Sequence, residues 1–337
     1  MSDLDLDAVA RWMADHVAGF DGPLMAEKIT GGQSNPTFRL KAASGAYVLR
    51  RKPPGVLLKS AHAVDREFRV QSALAGSDVP VARMHALCED DAVIGSAFYI
   101  MDLVDGRTFD DPRLQDVPVV EREACIAEMG RVLAAIHTID LDAVGLADYG
   151  PRGNYFRRQI DRWTKQYRAS ETGEVAAMDR LMAALDRGCP EDDGRATLVH
   201  GDYRIDNLMF ASDTPDIVAV LDWELSTIGH PFADLAAVIM QWQMPPGDQG
   251  RGLRGVDREV EGLPSDEDFI ARYCADMGIG KIEHFGFYVA FCFFRMAAIL
   301  QGVNKRALDG NASDPERGLR LGAFVPLYAE AGLDALG

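Results

Sequence analysis

Cysteine is scarce in this chain: five in 337 residues, at positions 88, 125, 189, 274 and 292, with no Cys-x-x-Cys pair. That pattern does not read as a disulfide framework, and it fits reduced core thiols in a cytoplasmic protein. Positive charge is also short. Thirty-five Lys and Arg face 52 Asp and Glu, for a net charge of −17 and a pI of about 4.8. Such a surface argues against nucleic acid or an anionic membrane as a partner. The acidic start, Met1-Ser-Asp-Leu-Asp-Leu-Asp, lacks the character of a signal or transit peptide. The most apolar run, Phe285 to Phe294, is too short to span a bilayer and is followed by Arg295. No internal repeat or low-complexity segment appears. What the chain does have is 47% hydrophobic residues, enough for a globular protein with two lobes and a sizeable core.

The most informative stretch is Leu198-Val-His-Gly-Asp-Tyr-Arg-Ile-Asp-Asn-Leu-Met-Phe210, followed by Val218-Ala-Val-Leu-Asp-Trp-Glu224. Thr197 to Val199, Leu208 to Phe210 and Ile217 to Leu221 are short apolar runs, which predicts strand, loop, strand, turn, strand. Asp202, Asn207 and Asp222 lie between these runs, where short strands hold them rigidly at the rim of one cleft. Asp and Asn are also common turn residues. However, Asp-x-x-x-x-Asn with an Asp ending the next hairpin strand is the pattern of kinase catalysis. In that chemistry the first Asp takes the acceptor's hydroxyl proton. The Asn and the later Asp hold Mg²⁺, which prefers oxygen ligands.

His200-Gly-Asp-Tyr-Arg-Ile-Asp-Asn207 and Leu221-Asp-Trp-Glu224 resemble the motifs of the aminoglycoside phosphotransferase and choline-kinase-like family. His200-Gly201 stands where protein kinases have His-Arg, which favours small-molecule kinases. The chain is most similar to the branch that occurs as a kinase-like domain attached to acyl-CoA dehydrogenases. The resemblance implies an α/β (α+β) two-lobed, protein-kinase-like fold. Residues 1–103 would form an ATP-binding lobe with a small antiparallel sheet, and residues 104–337 a mostly helical catalytic and substrate lobe. It implies ATP and Mg²⁺ as cofactors.

Val9, Trp12, Met13 and Val17 at helical spacing predict a packing helix over 5–18. Strands are expected at 25–30, 37–41 and 46–52. Between the first two lies Gly31-Gly-Gln-Ser-Asn35; Gly31, Gly32, Ser34 and Asn35 match the phosphate-covering loop of the family. Strand alternation puts Val48, Arg50 and Lys52 on one face. Arg50 aligns best with the phosphate-contacting cation of kinases, and Lys52 is its rival. Ser60 is a candidate cap for the next helix, where Glu67 is expected to fix Arg50 and Asp65 competes for that role. Residues 97–104 read as a buried strand. By resemblance, 101–106 is the linker between lobes, with Met101 lining the adenine pocket and the Asp102 carbonyl and Val104 amide binding adenine.

Ile126, Met129, Leu133 and Ile136 share one stripe of a predicted central helix over 119–136, and His137 at its end reads as structural. Arg157, Arg158, Arg162, Lys165 and Arg168 put five cations on one helix of an acidic protein. Arg158, Arg162 and Lys165 share a face, readable as a solvated surface or as an anion-binding substrate site. A helix over 175–185 is stopped by Gly188. Asp234 resembles a buried family Asp that braces the catalytic loop, and His200 is expected to hold that loop by hydrogen bonds. Residues 244–263, rich in Gly and Pro, read as a mobile flap carrying Arg251 and Arg254. Ser265 to Asp268 caps the next helix, and helices are predicted over 282–303 and 315–332.

The expected reaction is transfer of the ATP γ-phosphoryl group to a hydroxyl of a small molecule. Asp202 would act on the proton, Asn207 and Asp222 would hold Mg²⁺, and Glu224 on an extended segment would add a second carboxylate. The expected acceptor is a hydroxyacyl group on coenzyme A or a similar anionic acid, with Arg158 and Arg162 as substrate contacts. An aminoglycoside or other small-alcohol kinase, and a nucleotide-binding pseudokinase, are the alternatives. The sequence assigns no oligomeric state.

Overall fold

The computed structural model describes residues 4–29, 35–53, 63–247, 250–312 and 314–337. The chain divides into two compact units. One comprises Met1–Phe109, Ile139–Ala147 and Arg204–Ser226; the other comprises Asp110–Thr138, Asp148–Tyr203 and Thr227–Gly337.

The first unit opens with α1 (Leu6–His16), whose N-cap Asp5 accepts the Ala8 N–H at 2.9 Å. Five antiparallel strands follow: β1 (Met25–Lys28), β2 (Thr37–Ala42), β3 (Gly45–Arg51), β4 (Met84–Cys88) and β5 (Phe98–Asp102). They are ordered β1-β2-β3-β5-β4, and α2 (Val64–Leu74) lies between β3 and β4 in sequence. Period-two alternation sorts their side chains. Phe38, Leu40, Leu49, Phe98 and Ile100 join Val9 and Met13 of α1 in one buried cluster. Tyr99 and Met101 turn the other way, to Val64 and Phe68 of α2. Burying a side chain of this size contributes roughly 1.5–3 kcal/mol. No side chain caps α2, whose N-cap is Ala63; the Ser60 expected there lies outside the described residues. The strand β4 is not among the strands expected from the sequence.

Later chain segments supply the unit's hairpin, β6 being the strand Thr197–Val199 of the other unit, β7 Leu208–Phe210 and β8 Ile217–Val220. β7 and β8 pair, Arg107 bridges to Phe210 with backbone bonds of 2.8 Å in both directions, and the Val220 N–H donates to the Pro80 carbonyl at 2.9 Å. A Cβ on Gly106 would stand 2.5 Å from the Phe210 carbonyl, so only glycine admits that approach. The segment after β8 is a 3-10 turn over Trp223–Leu225, not the extended run expected at Glu224.

The second unit is helical. It contains α3 (Val119–His137), α4 (Tyr155–Ser170), α5 (Ala176–Gly188), β6 paired with β9 (Thr227–Gly229), α6 (Phe232–Trp242), α7 (Asp266–Asp276), α8 (Phe285–Leu308), α9 (Pro315–Gly322) and α10 (Val325–Leu336). α8 is central and packs against α4, α5, α6, α9 and α10. It runs well past Phe294, so by length and composition it is long enough to cross a membrane. Yet 67% of its most apolar window is buried inside the protein, as suits a core helix. Ser265 caps α7, accepting the Asp268 N–H at 3.0 Å. The predicted helix over 315–332 is in fact α9 and α10, with Pro326 in the first turn of α10, where its missing N–H is harmless. Gly188 is the last residue of α5 and not its cap.

Residues 244–263 do not form a loose flap, as far as they are described. The N–H groups of Gly252, Leu253 and Arg254 donate to the carbonyls of Pro245, Trp242 and Met244, and the Arg254 Nε donates to the Gln243 carbonyl at 2.7 Å. A Cβ on Gly252 would lie 2.0 Å from the Met244 carbonyl. Glycine there serves close packing, which composition alone reads as looseness.

Candidate active site

The antiparallel register places Arg50 of β3 directly opposite Tyr99 of β5, on the face that α2 covers. Glu67 projects from the first turn of α2 onto the same spot and is 1% exposed. Its carboxylate meets three groups. Arg50 Nε lies 3.0 Å from Oε2 as an ion pair, the Asn35 Nδ2 donates to Oε1 at 2.8 Å, and the Tyr99 hydroxyl donates to Oε2 at 3.0 Å. Burial pushes the Glu67 carboxyl up to about 7, against the pull of Arg50 and the Tyr99 hydrogen bond. Burial acts to lower the Arg50 guanidinium, but the charge of Glu67, with Tyr99 and Asp222 behind it, leaves it raised and firmly cationic. Lys52 pairs instead with Asp65, at 3.6 Å on the surface. Asp65 therefore does not compete for Arg50, which pairs with the buried Glu67.

The Arg50 Nη2 also donates to Asp222 Oδ1 at 2.7 Å, so one guanidinium joins Glu67 to Asp222. Asp222 takes a left-handed backbone (φ 60°, ψ 61°), a region Asp enters more readily than most residues. The Leu221 N–H donates to the Asn207 carbonyl at 2.8 Å, which holds Asn207 and Asp222 at paired ends of β7 and β8. Arg204 and Asp206, in the same stretch, form an ion pair of their own. Glu224 sits half-buried in the following turn, and its charge acts on Arg50 and Glu67.

His200, Gly201 and Asp202 follow β6 in the second unit. The fully buried Asp234 of α6 accepts the His200 N–H at 2.6 Å and the Gly201 N–H at 2.9 Å. Burial alone would raise the Asp234 carboxyl. Its hydrogen bond from His137, with the charges of His137 and His200, holds it below the usual carboxylate range. His137 Nε2 lies 3.4 Å from Asp234, and its Nδ1 lies 2.6 Å from the Tyr273 hydroxyl. The Asp202 N–H donates to His200 Nδ1 at 3.3 Å. Tyr203 anchors the loop's far side, its hydroxyl donating to the Met129 carbonyl at 2.7 Å.

Met101 and Asp102 end β5, and Val104 follows, all half-buried. Asp102 binds His85 Nε2 through Oδ1 at 2.5 Å. Gly31, Gly32 and Ser34 lie outside the described residues. The cations of α4 are sorted by face. Arg157 pairs with Asp186, and Arg168 with Glu171 and Asp179. Arg158 donates to the Pro151 and Arg152 carbonyls. Two contributors were missed from sequence. Tyr99 could have been found by aligning alternation across the sheet. Arg295 of α8, which donates to the Gly201 carbonyl at 2.9 Å, left no signal but a lone charge inside an apolar helix.

Residues 26–269 match the family described as APH, phosphotransferase enzyme family. Acyl-CoA dehydrogenase family member 10 of Mus musculus is 47% identical over 293 residues, which is 87% of this chain and 27% of that protein. The chain thus spans about a quarter of that relative's length. A crystal structure from Ralstonia eutropha JMP134, provisionally described as an aminoglycoside phosphotransferase, is 48% identical. It superposes with a TM-score of 0.91 over 99% of this chain and 98% of that one. A thermostable mutant of aminoglycoside phosphotransferase APH(4)-Ia, in ternary complex with AMP-PNP and hygromycin B, shares the fold at 18% identity. Its TM-score is 0.62 over 97% and 98% of the two chains.

Proposed function

This chain belongs to the APH phosphotransferase family, and from that premise we propose that it transfers the γ-phosphoryl group of ATP to an anionic hydroxylated acceptor, a hydroxyacyl-coenzyme A thioester. The coarser statement stands on the family itself: the protein is a small-molecule phosphotransferase with a hydroxyl as acceptor. The finer reading rests above all on the Glu67–Arg50–Asp222 chain of contacts. A buried, permanently charged guanidinium held between two carboxylates is suited to the nucleotide's α- and β-phosphates, because its planar fork matches phosphate oxygens. A family member crystallised with AMP-PNP supports ATP as the donor. The name of the mouse relative supports an acyl-CoA setting for the acceptor.

In the proposed reaction the acceptor's hydroxyl oxygen bonds to the γ-phosphorus and the bond to the β–γ bridging oxygen breaks. ADP leaves with that electron pair, and the hydroxyl proton passes to Asp202. Asp234 and His200 keep the Asp202 backbone in place. Arg50, fixed by Glu67, binds phosphate; Asn35, with Gly31, Gly32 and Ser34 before it, belongs to the phosphate-covering loop. Met101 lines the adenine pocket, and the Asp102 carbonyl and Val104 amide bind the base. Asn207 and Asp222 offer one amide oxygen and one carboxylate at adjoining strand ends. Mg²⁺ accepts such a set, since it binds through one or two carboxylates and completes its shell with water and phosphate. Among the described residues no group of three His, Cys, Asp or Glu forms an all-protein cage. When bound, Mg²⁺ neutralises charge on the β- and γ-oxygens. Glu224 stands close enough to add its charge to that site.

An aminoglycoside acceptor is the second reading, favoured by the hygromycin B complex of APH(4)-Ia. The experiment is Asp202→Ala, assayed with ATP, Mg²⁺ and a panel of hydroxyacyl-CoA thioesters, aminoglycosides, amino alcohols and sugars. The variant should still bind ATP, as a rise in melting temperature, while phosphoryl transfer falls by about 10² or more. Wild-type turnover in the variant would refute the role of Asp202.

A further inference from the structure

The cations of α4 and α8 show an imbalance. In a chain with 52 acidic residues against 35 basic ones, carboxylates are plentiful enough to pair most cations. On α4 they do so for Arg157 and Arg168. No ion pair forms for Arg158, Arg162 or Lys165 among the described residues, and none for Arg295 of α8. Arg162 and Lys165 are exposed, whereas Arg158 and Arg295 are half-buried. Trp163 lies between two of them, with the Arg162 guanidinium 5.5 Å and the Arg295 guanidinium 5.9 Å from its ring. The indole is held in turn, its Nε1 donating to the Gln159 side chain at 3.1 Å. Arg295 is half-buried, and one of its N–H groups is spent on the carbonyl of Gly201, the residue before Asp202. A guanidinium has five N–H donors, so the rest remain for a ligand.

Like charges gathered around one indole repel one another, and an anion bound there would relieve that repulsion. The Arg295 hydrogen bond ties the group to the loop that carries Asp202. We propose that Arg295, Arg162 and Trp163, with Arg158 one turn earlier on α4, form an acceptor subsite that binds a phosphate or carboxylate of the substrate beside the catalytic loop, and that Arg295 determines specificity for anionic acceptors. The proposal rests on the phosphotransferase reading and deepens it. Tyr155 lies on the same helix, one turn before Arg158. It is buried against Gly229, where a Cβ would meet its ring at 2.8 Å. Burial pushes its hydroxyl up to about 12, with the charges of Arg295 and Arg158 acting to lower it and that of Asp234 to raise it. A polycationic acceptor would meet the wrong sign here, and an acidic one would find guanidinium forks that match its oxygens.

The test is titration calorimetry of the full chain, which reads binding without needing turnover. The probes are butyryl-CoA, whose acyl chain has no hydroxyl to phosphorylate, free butyrate, and the neutral thioester butyryl-N-acetylcysteamine. Butyryl-CoA should bind the wild type more tightly than the neutral thioester. Binding of butyrate as well would mark a carboxylate site, and binding of the CoA thioester alone a phosphate site; either agrees with the proposal. Arg295→Gln, which keeps an N–H for the Gly201 carbonyl, should weaken butyryl-CoA binding about tenfold or more, the scale of one hydrogen bond to a charged group. Arg158→Gln, at a position nearer the surface, should weaken it in the same direction and serves if Arg295→Gln does not fold. Equal binding of butyryl-CoA by the wild type and both variants overturns the subsite, as does tighter binding of the neutral thioester by the wild type. If butyryl-CoA binds as expected but 3-hydroxybutyryl-CoA receives no phosphoryl group, the subsite stands and the acceptor assignment falls.

Discussion

Asp234→Asn should damage this protein more than any other conservative change at a single buried carboxylate. Asp234 is 1% exposed, and its two oxygens accept the backbone N–H groups of His200 at 2.6 Å and Gly201 at 2.9 Å. Asparagine has the same shape but only one acceptor oxygen. It can keep one of those N–H groups, while its NH₂ faces the other donor. One hydrogen bond to a charged group is lost, worth about 1.5–3 kcal/mol, and a buried N–H is stranded at about 1–3 kcal/mol more. The sum, roughly 2.5–6 kcal/mol, is a large share of the about 5–15 kcal/mol that holds a typical fold. The urea midpoint of unfolding, followed by circular dichroism, should therefore drop sharply. Acid dependence supplies a second reading. The Asp234 carboxyl is held below its usual range, so its contribution is present above the ordinary carboxylate pKa and is lost as pH falls through the lower folded value. The variant should lose that part of the acid dependence. Because the same two N–H groups belong to the loop ending in Asp202, kcat should fall as well, with little change in the KM for ATP. A variant with the wild-type midpoint and kcat would show that the Asp234 bonds neither brace the loop nor stabilise the fold.

Glu67 predicts opposite pH effects on stability and activity. Its carboxyl is raised to about 7, so the folded state holds a proton that the unfolded chain releases, and this group's stabilisation is lost as pH rises through about 7. The ionised form is the one that fixes Arg50, so the KM for ATP should improve over the same interval; Glu67→Gln should flatten both trends, and a wild-type profile in the variant would contradict the assignment. Gly252→Ala should lower the unfolding free energy measured in urea by about 1–3 kcal/mol, because its Cβ would press on the Met244 and Gln241 carbonyls at 2.0 and 2.4 Å. A neutral outcome there would mean that residues 244–254 are as loose as their composition suggests.

Much of this was legible in the sequence because local patterns with fixed periods carried it. Alternation on β3 put Arg50 on one face with Val48 and Lys52, and Glu67 was expected on the following helix, where it occupies the first turn of α2. The strand-loop-strand pattern around His200-Gly-Asp marked Asp202, Asn207 and Asp222. What failed involved contacts distant in sequence, or residues whose meaning depends on packing. Tyr99 joins Glu67 only through the sheet register. Arg295 looked like the end of an apolar run, although it sits inside a helix that continues to Leu308 and bonds to Gly201. The glycines of 244–263 permit close backbone approach, a use that composition does not distinguish from flexibility. Helices α9 and α10 read as one because Pro326 is tolerated in a helix's first turn, so only its exact place in the helix revealed the break.

The most direct measurement is mass spectrometry of acceptor and nucleotide after incubating the purified chain with ATP, Mg²⁺ and 3-hydroxybutyryl-CoA, alongside Asp222→Ala and a sample lacking Mg²⁺. The account predicts phosphorylated 3-hydroxybutyryl-CoA and an equal amount of ADP from the wild type, with both controls reduced by about 10² or more. Equal product with and without Asp222, or ADP formed with no phosphorylated acceptor in any of the four acceptor classes of the panel, would contradict it.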